Sequence, residues 1–167
     1  GPDATGRPGL PYPSAGANYI TRLRLMAWAV KGLAPGQYEV DPATRSLSPI
    51  ASVPDRDEMV AASMWFSREP KGVGPYQRVE VPQLPAMIGL YVDYAALRKV
   101  YGLRALRFGL LEAGHLAQNF ALCAAATDLS LGLVGGFYDD VAHELFLLDG
   151  VDEVLVYLLP VGRRRSG

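Results

Sequence analysis

The chain is poor in the features that define several protein classes. It has one cysteine, Cys123, so no disulfide can form within it. No apolar stretch reaches the roughly 18 residues of a membrane-spanning helix, and no secretory signal is visible. The 16 basic and 17 acidic residues leave a net charge of −1, which creates no field to attract nucleic acid or an anionic membrane. These absences predict a cytoplasmic protein without nucleic-acid or membrane partners.

Metal-binding and dinucleotide-binding patterns are also missing. His115 has Asn119 one helical turn later, and an amide is a poor zinc ligand, so we expect no metal site and a buried, hydrogen-bonded His115. His143 lies on a polar helix face and is expected in solvent. Cys123 stands among alanines, which favours plain core packing. No Gly-x-Gly-x-x-Gly fingerprint is present, so a Rossmann dinucleotide site is not supported.

The composition that remains is that of one globular domain. Half of the 167 residues are apolar and a fifth are charged, which is enough for a substantial core. Residues 1–19 are rich in glycine and proline and predict an extended lead-in, and Gly1-Pro2 is typical of the scar of a cleaved tag. Residues 20–162 form the predicted domain, and residues 163–167 form a basic tail.

Alternating strands and helices predict an α+β fold, in which helices flank a central mixed or antiparallel sheet. Strands are predicted over residues 20–30, 37–40, 46–50, 86–94, 130–134 and 153–161, and helices over 55–66, 95–101, 104–127 and 139–148. Asp55 and Glu58 have the spacing of a capping box. The stretch 86–94 is apolar on both faces and is expected at the centre of the sheet. Residues 67–83 predict an irregular loop.

The helix over residues 104–127 is the most apolar part of the chain. Six residues fall on one face at helical spacing: Leu106, Leu110, Ala113, Ala117, Phe120 and Ala124. Further leucines cover much of the remaining surface, and a helix that is apolar all round must be buried on all sides. A single small domain cannot easily bury it, so we expect a second subunit against this helix. Gly109 and Gly114 are expected to let the backbone of that subunit come close.

Six segments, in order, carry a family resemblance. They are residues 13–17 (Pro-Ser-Ala-Gly-Ala), 32–38 (Gly-Leu-Ala-Pro-Gly-Gln-Tyr), 101–107 (Tyr-Gly-Leu-Arg-Ala-Leu-Arg), 111–119 (Leu-Glu-Ala-Gly-His-Leu-Ala-Gln-Asn), 135–137 (Gly-Gly-Phe) and 159–162 (Leu-Pro-Val-Gly). The chain resembles the nitroreductase superfamily, and more closely the SagB-type dehydrogenases, which oxidise azoline rings to azoles in peptide natural products.

The resemblance implies a nitroreductase-like fold and an obligate homodimer whose interface is formed largely by the long central helix. It also implies two FMN sites across that interface and a peptide or carrier-bound substrate. A paralogous nitroreductase-like subunit is the alternative partner.

Two departures from the family pattern bear on the cofactor and on catalysis. Family members carry an Arg-Arg-Ser segment upstream of the Pro-Ser-Ala-Gly motif, and its arginines hold the FMN phosphate. This chain begins just before Pro13 and is expected to lack that segment, so the presence of FMN is an open question. The azoline oxidases also place a Lys-Tyr pair directly before the glycine that matches Gly102. Here the lysine is Lys99, one residue early, which turns it by about 100° on a helix.

The resemblance assigns flavin binding to two groups of residues. Pro13, Ser14, Ala15 and Gly16, with Asn18, would bind the polar edge of the flavin, because a hydroxyl and exposed amides can hydrogen-bond it. An ordinary Pro-Ser turn is the alternative. Gly135 and Gly136 would approach the ring closely, although a plain strand-to-helix turn explains them equally well.

Charged and titratable side chains complete the predicted site. Tyr101 and Lys99 are the candidate acid/base pair, since azoline oxidation removes a proton from carbon as hydride leaves; a core-edge tyrosine and a solvated lysine are the alternative. Arg163, with Arg164 and Arg165, would hold the phosphate, or else belongs to a frayed tail. The predicted function is an FMN-dependent azoline oxidase. The alternatives are a flavin-free scaffold or partner-binding subunit, and a piece of a larger protein whose front is supplied elsewhere.

Overall fold

The structure is a computed structural model that describes residues 9–69, 72–73 and 76–163. Its main sheet has six strands in the order β3-β2-β1-β8-β10-β9, and every neighbouring pair is antiparallel. The strands of this sheet are β1 (Thr21–Ala27), β2 (Gly36–Asp41), β3 (Ser46–Ala51), β8 (Ala86–Asp93), β9 (Leu129–Leu131) and β10 (Glu153–Arg163). The helices are α1 (Arg56–Val60), α2 (Tyr94–Tyr101), α3 (Ala105–Ala125) and α4 (Asp139–Leu145). The predicted α+β architecture is confirmed.

Strand β8 lies at the centre of the sheet, as its two apolar faces predict. It pairs with β1 on one side and with β10 on the other. Sterics explain the glycine at position 89, in the middle of β8, because a Cβ there would lie 2.5 Å from the Phe146 ring. The glycine therefore lets the segment after α4 pack directly on the sheet.

Helices cover both faces of the sheet and give two layers of core. On one face, sheet residues pack against α1, α4 and the segments between them; this cluster includes Met26, Met87, Leu158, Met59, Ala142 and Phe146. On the other face, α2 and α3 cover Leu90, Val92 and Leu159 with the small residues Ala105, Ala113 and Ala117. None of the helices in the described part of the chain has the length and apolar character needed to cross a bilayer.

Helix α3 presents small residues to the sheet and leucines to the outside, which corrects the predicted faces. Ala113 and Ala117 are buried against this chain's own strands. The large side chains of α3 that point away are Leu106, Leu110, Leu111 and Leu122, each more than half exposed, and Leu103, just before the helix, is 88% exposed. Close packing on the sheet requires small side chains on that face, so the leucines are left uncovered in a single protomer.

The two glycines of α3 differ in their surroundings. A Cβ on Gly109 would lie 2.7 Å from Val92 Cγ1 and 2.8 Å from Tyr94 Cε1. The prediction that Gly109 admits a partner's backbone is therefore wrong, because this chain's own β8 and α2 occupy that space. A Cβ on Gly114 would meet nothing within 4 Å, so its face is open.

Several predicted elements differ in length from the observed ones. The capping box at Asp55 and Glu58 is present, but α1 ends at Val60 rather than at residue 66. The chain then forms a short strand, β4 (Phe66–Ser67), that runs parallel to β7 (Val79–Glu80). Between them, β5 (Gly72–Val73) pairs with β6 (Tyr76–Gln77), so the stretch predicted as an irregular loop contains short strands. Residues 70, 71, 74 and 75 lie outside the described part.

Candidate functional site

The lead-in before β1 runs along one stripe of α3. Asn119 Nδ2 donates to the Pro11 carbonyl at 2.8 Å, and His115 Nδ1 lies 3.3 Å from the Pro13 carbonyl. Ser14 Oγ donates to Glu112 at 2.5 Å. Because residues 112, 115 and 119 share one face of the helix, these bonds fix the lead-in along it. The expected burial of His115 is wrong: its ring is exposed and holds the lead-in from the surface.

Glu112 is the buried anchor of this arrangement. Its side chain is 2% exposed, accepting from Ser14 Oγ through one oxygen and from the Thr21 backbone N–H, at 2.8 Å, through the other. A buried carboxyl needs such partners, since an unpartnered one is costly to desolvate. Glu112 was not among the predicted site residues. The available signal was that it is the one charged residue between Arg107 and Asp128 in a largely apolar stretch.

The turn that begins at Ser14 has an unusual backbone. Gly16, Ala17 and Tyr19 have φ values of 59°, 52° and 49°, a conformation that costs energy for residues with a Cβ. The amides of Ala17 and Asn18 close the turn on the carbonyls of Ser14 and Ala15. The N–H groups of Ala15 and Gly16 stand at the start of this single helical turn, where amides have no helical acceptor. A strained backbone and amides without a helical acceptor thus coincide in this turn.

Tyr101 lies against this turn. A Cβ on Gly16 would be 2.5 Å from the Tyr101 hydroxyl oxygen, so only a glycine admits that hydroxyl. The Tyr101 ring packs edge-on against Phe108, with 4.9 Å between ring centroids. Lys99 is exposed on α2. The structure therefore brings Tyr101, the last residue of α2, to the Ser14–Gly16 turn, and places Lys99 of the same helix on the surface.

Asn18 and Pro13 take part in the turn in different ways. The Asn18 amide nitrogen donates to the Ala15 carbonyl at 2.6 Å and therefore stabilises the turn from within. Pro13 contributes its carbonyl to His115. Both residues are exposed.

Gly135 and Gly136 lie on the other side of α3 from the turn. Gly135 lines an open cavity of about 460 Å³ together with Leu106 and Leu110 of α3 and Arg98 of α2. Leu106 and Leu110 point roughly opposite to Glu112 on the helix, given 100° per residue. Gly136 is backed by Trp65, whose Nε1 would lie 3.2 Å from a Cβ there. A flavin at these glycines would thus be near Trp65.

Arg163 lies at the opposite end of the sheet from Ser14. Ser14 and Thr21 both donate a hydrogen bond to Glu112, and Thr21 is paired with Val92 across strands β1 and β8. Ala27, the last residue of β1, is paired with Ala86 of β8, and Ala86 is paired with Val161 of β10. Arg163 follows two residues after Val161, so it lies six residues of β1 plus two residues of β10 away from Thr21. At about 3.3 Å per residue, this is about 25 Å along the strands. Arg164 and Arg165 lie outside the described residues.

Cys123 and His143 are both placed differently from prediction. Cys123 is exposed rather than packed in the core, and it borders an apolar cavity of about 280 Å³. His143 is 8% exposed rather than solvated, and its Nε2 accepts from the Leu155 backbone N–H at 3.1 Å. The described residues show no cluster of three or more metal-ligating side chains.

Comparison with known proteins covers most of the chain. The profile of the Nitroreductase family matches residues 36–163. Protein MJ1384 of Methanocaldococcus jannaschii, named as a nitroreductase, is 28% identical over 152 residues, which is 91% of this chain and 69% of that protein.

Solved structures show the same fold. A structure described as a nitroreductase from Anabaena variabilis superposes with a TM-score of 0.77 at 26% identity, over 91% of this chain but only 29% of that one. A chain of the Escherichia coli microcin synthetase McbBCD complex, with truncated pro-MccB17 bound, gives a TM-score of 0.75 at 19% identity, over 93% of this chain and 56% of that one. A nitroreductase-type structure from Exiguobacterium sibiricum, in complex with FMN, gives 0.59 at 13% identity, over 93% of this chain and 72% of that one.

The Anabaena and Escherichia coli chains are thus much longer than this one. The family profile alone covers more than half of the chain, and the fold shared with these solved structures agrees with it. The chain belongs to the nitroreductase family.

Proposed function

We propose that this chain is an FMN-dependent oxidoreductase of the SagB type, which oxidises azoline rings in a peptide or carrier-bound substrate to azoles. The family membership supports the redox chemistry. The fold shared with a chain of the microcin synthetase complex, solved with truncated pro-MccB17 bound, supports a peptide substrate. FMN in the Exiguobacterium structure supports the cofactor.

The observation that carries the proposal is the meeting of Tyr101 with the Ser14–Gly16 turn. The family resemblance assigned the turn to the flavin and Tyr101 to proton transfer, and the two segments lie more than 80 residues apart in the chain. The structure brings the Tyr101 hydroxyl to within 2.5 Å of the Gly16 Cβ position. A strained backbone that persists beside a titratable hydroxyl is a pattern found at functional sites.

The residues of the turn fit one edge of FMN. The N–H groups of Ala15 and Gly16 are donors for the carbonyl and nitrogen acceptors of an isoalloxazine ring. The Ser14 hydroxyl is committed to Glu112, so in this proposal it holds the turn in shape, and the backbone makes the contact. Asn18 has the same supporting role through the Ala15 carbonyl.

A complete site needs residues from two chains. Arg163, the residue that would hold the phosphate, lies about 25 Å along the strands from the turn in one protomer. A second copy of the chain, packed against the exposed leucines of α3, could bring its own Arg163 end to this turn. The uncovered leucine face gives such a dimer an apolar surface to bury.

When bound, FMN supplies the hydride acceptor, and oxygen returns it to the oxidised state. The chain's own part is to orient the azoline and to accept the proton that leaves carbon when hydride is removed. Tyr101 is the candidate for that proton because its hydroxyl lies at the turn; it would accept as the phenolate, after its own proton has gone to solvent. Lys99, exposed on the same helix, is the second member of the candidate pair.

FMN binding is tested through tryptophan fluorescence. FMN added to the purified protein should leave a bound species with flavin absorption. Trp65 backs Gly136, so quenching of its fluorescence tests whether this glycine also lies beside the ring. Trp65→Phe is the control, since it should bind FMN equally while showing only the response of Trp28. A folded protein that neither quenches nor retains FMN would overturn the proposal.

Tyr101→Phe separates binding from catalysis. The ring and its packing on Phe108 remain, so FMN affinity should be unchanged. Turnover of an azoline peptide should fall by about 10²- to 10⁴-fold, which is the usual share of general acid–base catalysis, and the pH dependence of kcat should change. Unchanged turnover would remove Tyr101 from the proton path.

One observation favours the flavin-free scaffold as a second candidate. Ser14 is already hydrogen-bonded to a buried carboxyl, so the turn is complete without a ligand. A well-folded dimer that binds a partner subunit and shows no FMN affinity would support this reading.

A further inference from the structure

Helix α3 contacts both parts of the candidate site through two residues that lie one turn apart. Phe108 packs edge-on against the Tyr101 ring, with 4.9 Å between ring centroids. Glu112, four residues later, accepts the hydrogen bond of Ser14 Oγ, where the Ser14–Gly16 turn begins. Residues four apart on a helix share one side of it, with about 5–6 Å between their Cβ atoms. One helix therefore holds both the turn and the candidate proton acceptor.

The Glu112 carboxyl group joins the two ends of the segment that contains the turn. One of its oxygens accepts from Ser14 Oγ, and the other accepts from the N–H of Thr21, the first residue of β1, at 2.8 Å. Ser14 Oγ also accepts from the Tyr19 N–H at 2.8 Å, so this hydroxyl is both a donor and an acceptor. Thr21 is itself paired with Val92 in the sheet. The carboxyl group thus connects the turn to β1 as well as to α3.

The backbone between these two ends has a conformation that needs support. Ala17 and Tyr19 have positive φ values of 52° and 49°, although both carry a Cβ. Such residues persist only where the surrounding structure holds them. Glu112 is 2% exposed, and removing its carboxyl group would leave the buried Thr21 N–H without an acceptor. The strained turn would then lose its hydrogen bond to the helix.

Phe108 has the corresponding position for Tyr101. Tyr101 is the last residue of α2, so the helix does not continue beyond it to hold its side chain. Its ring meets the Phe108 ring at 75°, an edge-to-face arrangement that is favourable for aromatic pairs. Because the hydroxyl lies on the axis of the ring, fixing the ring also fixes the hydroxyl beside Gly16.

We propose that Phe108 and Glu112 are positioning residues for the proposed reaction. Glu112 holds the turn so that the Ala15 and Gly16 N–H groups are available to the flavin. Phe108 holds the Tyr101 hydroxyl beside that turn. These roles rest on the FMN-dependent oxidation proposed above. Because the two side chains contact different parts of the site, loss of Glu112 should weaken flavin binding, whereas loss of Phe108 should slow turnover.

Glu112→Ala and Ser14→Ala each break the hydrogen bond between the turn and the helix. Each should weaken FMN binding about tenfold in equilibrium dialysis, which is the effect of about one lost hydrogen bond. In the protein without FMN, each should also speed hydrogen exchange of the Ala17 and Asn18 amides, which close the turn. Glu112→Gln keeps an acceptor for the Thr21 N–H and a hydrogen-bonding group for Ser14. Its FMN affinity should therefore stay within about threefold of the wild type.

Asn119→Ala is the matched control for these variants. It also removes a hydrogen bond between α3 and the lead-in, at the Pro11 carbonyl, but it leaves the bond from the turn to Glu112 in place. FMN affinity and the exchange of the Ala17 and Asn18 amides should be those of the wild type. An equal loss of affinity in Asn119→Ala would show that any loosening of the lead-in weakens flavin binding, and the specific role of Glu112 would be wrong.

Phe108→Leu tests the second residue. Leucine keeps an apolar side chain but loses the aromatic contact with Tyr101, so FMN affinity should be unchanged. The kcat for an azoline peptide should fall about tenfold, because a small displacement of a reacting group is costly. In a Tyr101→Phe background the same change should alter kcat little, since its effect passes through the Tyr101 hydroxyl. An equal fall of kcat in both backgrounds would show that Phe108 acts on stability in general and would overturn its positioning role.

The wild type and Tyr101→Phe separate failure of the proposed function from failure of the positioning roles. If the folded wild type binds no FMN, or if Tyr101→Phe retains full turnover, the proposed function is wrong and the corresponding positioning role falls with it. If both tests succeed, but Glu112→Ala and Ser14→Ala bind FMN as the wild type does or Phe108→Leu keeps full kcat, only the positioning role is wrong. Circular dichroism checks folding, and Ser14→Ala decides the role of Glu112 if Glu112→Ala does not fold.

Discussion

The two glycines of α3 allow a matched test of how this helix packs. Both lie in the same helix, so replacing either by alanine gains the same intrinsic helix stability, about 1 kcal/mol. At Gly109 the new methyl group would lie 2.7 Å from Val92 and 2.8 Å from Tyr94, whereas at Gly114 it would meet nothing within 4 Å.

The difference between the two variants isolates the packing cost. Overpacking a core by one methyl group costs about 1–3 kcal/mol, and the shared gain in helix propensity cancels. Gly109→Ala should therefore have a free energy of unfolding about 1–3 kcal/mol below that of Gly114→Ala. Gly114→Ala itself should be more stable than the wild type at low protein concentration.

Urea unfolding measures this difference. With a slope of about 2 kcal/mol per molar urea for a chain of this size, the midpoints should differ by about 0.5–1.5 M. Equal midpoints would refute the close packing of α3 on β8. Repeating the measurement at high protein concentration tests the dimer, because a partner packed over Gly114 would remove the gain in that variant.

Variants at three further positions, Glu112, Gly89 and Asp149, probe buried contacts and a loop contact. Glu112→Ala should lower the free energy of unfolding by about 1–3 kcal/mol, because it leaves the Thr21 N–H without an acceptor; Glu112→Gln, which keeps an acceptor, should cost less in the same urea assay. Gly89→Ala should cost about 1–3 kcal/mol, since its Cβ would lie 2.5 Å from Phe146, and adding Phe146→Leu should recover part of the loss by thermal unfolding. Three backbone N–H groups hold the pKa of Asp149 below its usual value, so its contribution is present above the unfolded pKa near ~4 and is lost as pH falls through the folded pKa. Asp149→Asn should therefore flatten the acid side of the melting-temperature profile, and an unchanged profile would contradict this.

Periodicity predicted the elements but not the faces that they bury. The central position of β8 followed from its two apolar faces, and the start of α1 followed from Asp55 and Glu58. The faces of α3 could not be assigned from hydropathy, because apolar residues lie all around the helix. Side-chain size decided the outcome: alanines allow α3 to approach the sheet, and leucines do not.

The roles of the candidate site residues stay predictions. The family resemblance gave the Ser14–Gly16 turn and Tyr101 as candidates, and the fold brings them side by side. Burial of polar residues was harder to predict: Glu112 and His143 are buried because backbone N–H groups reach them, and such pairings join distant segments. The separation of Arg163 from the turn also depends on strand register, which no local pattern reveals.

The two edge strands of the sheet, β3 and β9, limit how this protein can self-associate. At one edge, β3 is exposed along most of its length and carries Pro49, which has no N–H to offer to an incoming strand. At the other edge, β9 has only three residues. Neither edge strand suits the addition of a strand from another copy, so assembly into fibres by edge pairing is disfavoured. This holds even though several leucines remain exposed on the helical layer.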